Sequence, residues 1–150
     1  MSDHYQKLRV AHRSGVVTVT IENPPVNILD AALMTDLRNF LIKVRNDDAT
    51  RVIVFESGSP DFFIAHVDMA LIDDPHAFDE IARDVPAGLN VFQALGELVR
   101  ELPQVTIVKL AGVARGGGVD ARRRGTDSGA PFVKHLAYSD WCIADISTCC

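Results

Sequence analysis

The stretch Val105 to Asp120, VTIVKLAGVARGGGVD, constrains the fold of this chain more than any other. Val105 to Leu110 is an apolar, β-branched run bounded by Pro103 and Gly112, which predicts a buried strand. Gly116, Gly117 and Gly118 follow. Consecutive glycines remove every side chain from a place where the backbone must approach something closely, and they leave successive N–H groups free to point at it. A helix starting there would add its unpaired N–H groups and positive dipole end to an anion-stabilising cradle. Asp120 lies just past the cradle, where a carboxylate can move a proton. Donors beside a potential base suit a reaction that passes through an enolate.

The 150 residues suit one domain, and 47% hydrophobic with 23% charged residues places the chain among globular proteins. A formal charge of -5 argues against general nucleic-acid binding, which needs a basic face. No apolar run approaches the length of a membrane span, and the opening MSDHYQKLRV lacks the apolar segment of a signal peptide. The expected location is cytoplasmic. Cys142, Cys149 and Cys150 all lie near the end, so no disulfide framework runs through the body, and no clustered His or second Cys pair supports a metal site.

In chain order, Leu8 to Arg13 and Val16 to Glu22 flank Ser14-Gly15 as a β-hairpin. Asn23-Pro24-Pro25-Val26-Asn27 is irregular, because two prolines remove donors and fix φ. Asp30 caps a predicted amphipathic helix from Ala31 to about Arg45, on which Leu33, Met34, Leu37, Phe40, Leu41 and Val44 form one face. Arg51 to Glu56 reads as a second buried strand. Asp61 to Met69 reads as a loop entering the core, with Asp68 able to cap a short helix. Residues 76–87 are weakly patterned and partly helical, and 88–102 predict another helix leading into the strand at Val105. The pattern is α/β. After Asp120 the composition changes: residues 1–120 carry 11 basic and 17 acidic groups, net -6, and 121–150 carry 4 and 3, net +1.

Three of these stretches, in this order, resemble the crotonase superfamily, the enoyl-CoA hydratase/isomerase family. They are Asn23-Pro24-Pro25-Val26-Asn27, Ile64-Ala65-His66-Val67-Asp68-Met69, and Gly116-Gly117-Gly118-Val119-Asp120. The resemblance implies a spiral of ββα units that holds a CoA thioester against two backbone N–H groups, here those of Val67 and Gly117. It places Ala65, Val67, Met69 and Gly116 along the substrate, and Val26 near the nucleotide or pantetheine end of CoA. Asp120 falls where hydratases carry their first catalytic glutamate. No cofactor is implied beyond the CoA that belongs to the substrate, and a homo-oligomer is the expected assembly.

The sequence also departs from the family. His66 stands where a small residue, often glycine, is expected. Asp120 is one methylene shorter than glutamate, and residues 121–150 hold no Glu to serve as a second acid. The expected architecture is therefore a crotonase-like core over 1–120, truncated before the C-terminal helical region, followed by an atypical tail over 121–150 that reads as frameshifted or disordered. The expected activity is hydration or isomerisation of an enoyl-CoA. The alternatives are a single-carboxylate isomerase or hydrolase of the same family, and an inactive acyl-CoA-binding or oligomer-forming remnant.

Overall fold

The computed structural model describes residues 4–74, 76–110, 112 and 132–133. Ser14 and Gly15 both take positive φ, 51° and 79°, the geometry of a tight hairpin turn. They join β1 (Leu8–Arg13) to β2 (Val16–Ile21) in an antiparallel pair, with Val16 opposite Arg13 and Ile21 opposite Leu8. Helix α1 (Ala31–Arg45) then carries the chain to β3 (Val52–Ser57), which runs parallel to β2. The Asp30 side chain accepts the Leu33 N–H at 2.8 Å and fixes the helix start.

From β3 the chain passes through three helices, α2 (Ala70–Asp73), α3 (Asp79–Ala82) and α4 (Val91–Arg100). It returns to β4 (Val105–Lys109), parallel to β3. A short β5 (Phe132–Val133), inside the segment read as a tail, pairs antiparallel with Val108 and Ile107. The sheet order is β1-β2-β3-β4-β5.

Period-two alternation sends Val17, Val19 and Ile21 of β2, and Ile53 and Phe55 of β3, to one sheet face. There they meet the apolar stripe of α1, whose Leu33, Met34, Leu37, Phe40, Leu41 and Val44 are all buried. Phe40 sits edge-on between Tyr5 and Phe55, with ring centroids 6.3 and 6.0 Å away. Among the described residues no helix is long and apolar enough to cross a membrane.

Two expectations need correction. The strand at Val105 is not a buried one: Val105 and Leu110 are 49% and 43% exposed, and Thr106 to Val108 are half-buried. It lies fourth in the sheet, and among the described residues its outer edge is paired at Ile107 and Val108. The helix expected over 88–102 begins later, at Val91, because Asn90 and Gln93 form a reciprocal capping box, each side chain accepting the other's backbone N–H at 2.9 Å.

Candidate functional site

The turn after β2 and the loop after β3 are held together by backbone hydrogen bonds. Leu29 N–H donates to His66 O at 2.9 Å, and Asp68 N–H donates to Leu29 O at 3.0 Å, which makes Leu29 and Val67 a parallel bridge. Ala65 N–H adds a bond to Val26 O at 3.2 Å. In extended chain, successive residues turn their backbone groups to opposite sides. His66 and Asp68 face Leu29, so the N–H and C=O of Val67 face away from it. Among the described residues no acceptor lies on the Val67 N–H.

The sequence-predicted residues fall as follows. Val26 and Val67 are half-buried and Ala65 is buried, and the bonds just described bring all three into one small region. Met69 is 61% exposed at the start of α2. His66 is exposed, and its ring Nδ1 lies 2.8 Å from Val67 O; that carbonyl only accepts, so Nδ1 is the donor. The Asp68 carboxylate accepts the Ala70 N–H at 3.0 Å from just ahead of α2, but the N-cap position belongs to Met69, which makes no side-chain cap bond, so Asp68 is not the cap expected from the sequence. Gly116, Gly117 and Asp120 lie outside the described residues, as do Arg122 to Arg124 and the three cysteines.

Asn27, which the sequence showed only as part of the proline turn, and Ser57, which sequence reasoning passed over, organise this region. Asn27, 2% exposed and at φ 51°, donates from its carboxamide to Ser57 Oγ at 2.8 Å and lies within reach of the carbonyls of Ile21, Phe62 and Phe63. Ser57 Oγ in turn donates to Phe62 O at 2.6 Å and accepts Ser59 N–H at 2.9 Å. The signal for Asn27 was an Asn after a Pro-Pro turn, a residue type that tolerates the left-handed region.

The charged groups with displaced titration lie elsewhere. The Lys109 ammonium, hydrogen-bonded at 3.1 Å, holds the Glu56 carboxyl below its ordinary range on the opposite sheet face from Phe55. The Thr50 hydroxyl does the same for Asp47, beyond the far end of α1. A groove of about 520 Å³ between α1 and α4, lined by Met34, Ile42, Leu95 and Leu98, contains none of the predicted site residues.

The sequence matches the model of the enoyl-CoA hydratase/isomerase family over residues 11–121. A crystal structure from Streptomyces avermitilis, provisionally described as an enoyl-CoA hydratase, is 52% identical with a TM-score of 0.73, covering 77% of this chain and 42% of its own. Pseudomonas aeruginosa DspI is 28% identical with a TM-score of 0.65, covering 79% of this chain and 44% of its own. The fatty acid oxidation complex subunit alpha of Idiomarina loihiensis is 28% identical over 108 residues, 71% of this chain and 15% of that protein. The chain thus spans less than half of either solved structure and a small part of that subunit.

Proposed function

Because the chain belongs to the enoyl-CoA hydratase/isomerase family, we propose that it binds an acyl-CoA thioester and stabilises negative charge on the thioester oxygen with the Val67 N–H. The observation that carries this reading is the Leu29–Val67 bridge, which turns the Val67 N–H away from Leu29. A thioester carbonyl gains negative charge when its α-carbon loses a proton, as in isomerisation, or when water adds at the β-carbon, as in hydration. A fixed donor aimed at that oxygen binds the transition state more tightly than the ground state.

The reading takes Gly117 as the second donor and Asp120 as the group that moves the proton, with Gly116 beside the substrate. Val26, Ala65 and Met69 line the path of the CoA arm. CoA enters as part of the substrate, so no separate cofactor is required. Relatives called enoyl-CoA hydratase support this class of substrate. A second reading, a self-associating acyl-CoA-binding domain without turnover, is supported by the exposed apolar side chains of Val105 and Leu110.

Loss of the conjugated-enoyl absorbance of crotonyl-CoA, measured beside calorimetric binding of CoA, tests both. Turnover supports the first reading and saturable binding without turnover the second. The absence of both binding and turnover would sink the thioester assignment.

A further inference from the structure

Three backbone segments meet at one buried side chain. The Asn27 carboxamide nitrogen has two protons and four oxygens within reach: Ser57 Oγ at 2.8 Å, Phe63 O at 3.2 Å, Ile21 O at 3.3 Å and Phe62 O at 3.4 Å. Its Oδ1 accepts the Asn23 N–H at 2.8 Å, and its own backbone N–H donates to Asn23 O at 2.8 Å. Asn27 therefore ties the end of β2, the end of β3 and the loop at Phe62-Phe63 into one unit. Two residues on, Leu29 makes both bonds that orient Val67. The direction of the Val67 N–H depends on where Leu29 stands relative to Phe63, and Asn27 bonds across that distance.

We infer that Asn27 is a positioning residue for the Val67 N–H, acting through Phe63 and Leu29 rather than by touching substrate. This role rests on the thioester reading given above. A network of this kind is costly to leave half-made, because each buried carbonyl that loses its donor seeks another and moves the chain. The consequence for chemistry is large, since misplacing a catalytic donor by about 1 Å costs on the order of 100-fold in rate.

Asn27→Gly removes the carboxamide and keeps the positive φ accessible. With the 150-residue chain and crotonyl-CoA, kcat is expected to fall about 100-fold while KM moves less than about threefold, because the lost interaction belongs to the transition state. The Val67 amide resonance of the ligand-free protein is expected to shift. Ser57→Ala, which removes one link of the network, is expected to lower kcat about tenfold and to shift the same resonance. Val44→Ala, a buried core position at the far end of α1, lowers the melting temperature but leaves kcat and the Val67 resonance in place.

Unchanged kcat and an unmoved Val67 resonance in Asn27→Gly, whatever its melting temperature, would overturn the inference. If Asn27→Gly does not fold, Ser57→Ala decides by the same two readouts. If wild-type protein neither binds nor turns over the thioester, the proposed function fails on its own, and the Val67 resonance still decides: a shift supports the positioning role and no shift overturns it.

Discussion

Gly112 lies against the peptide of Asp61 so closely that a methyl group on its α-carbon would stand 2.2 Å from the Asp61 carbonyl carbon and oxygen. Its φ of 72° is also one that glycine adopts readily. The chain just past β4 thus runs directly against the loop that leads into Phe63 and Val67. Both neighbours are main-chain atoms, so neither can rotate aside. Gly112→Ala is expected to destabilise the protein by at least about 1–3 kcal/mol, the usual cost of overpacking, with strain from the positive φ added to it. Urea unfolding followed by circular dichroism measures it, and an unchanged midpoint would show that the two segments separate freely.

Asp30 serves two structures at once. One carboxylate oxygen accepts the Leu33 N–H at the start of α1, and the other accepts the Asn23 carboxamide at 2.9 Å. Asp30→Ala is expected to cost about 0.5–2 kcal/mol for the cap alone. Asp30→Asn keeps the cap acceptor but offers an N–H₂ where Asn23 needs an oxygen, or the reverse, so it should recover only part of the loss. Full recovery in thermal melts would mean that the Asn23 bond contributes little.

Glu56 and Lys109 make stability depend on pH. The Glu56 carboxyl titrates below its ordinary range when folded, chiefly because it accepts the Lys109 ammonium and also the Thr20 hydroxyl. A group whose pKa is depressed by folding adds stability above its unfolded pKa, and that contribution disappears as pH falls through the folded value. Both side chains are partly open to water, at 27% and 64% exposure, so the effect is modest and salt-sensitive. Glu56→Gln is expected to unfold at a lower urea concentration than wild type at neutral pH, with the difference closing below the glutamate range. A gap that persists unchanged in acid would assign the loss to packing instead.

At Val67 the backbone and the side chain have separable roles. Val67→Ala keeps the N–H, and Val67→Pro removes it. If the N–H stabilises the thioester oxygen, Val67→Pro lowers kcat for crotonyl-CoA by about 10²–10³-fold, the cost of one such donor, and Val67→Ala by far less. Equal losses in the two variants would point to the side chain.

How much of this was legible in the sequence depends on how local each signal is. Helix α1 is readable because Leu33, Met34, Leu37, Phe40, Leu41 and Val44 repeat at helical spacing behind a capping Asp30, and the hairpin because Ser14-Gly15 admits positive φ. The exposure of β4 is not readable: a β-branched run looks alike whether its neighbours cover it or not, and those neighbours are set by pairing at long range. Asn27 was visible only as part of a turn, because its partners Ser57, Phe62 and Phe63 lie 30 to 36 residues away. Of the three stretches that carried the functional reading, the structure joins the first two through the Ala65 N–H to Val26 O bond and, two residues past the first, through the Leu29–Val67 bridge, and the third lies outside the described residues.

The central claim is that the Val67 N–H meets the thioester oxygen. Butyryl-CoA, a saturated thioester with no double bond to hydrate, can be titrated into ¹⁵N-labelled protein while amide resonances are followed. The Val67 proton is expected to move downfield and saturate with ligand, while that of Asp68, already bonded to Leu29 O, moves little. Saturable binding that leaves the Val67 amide unmoved would contradict the account.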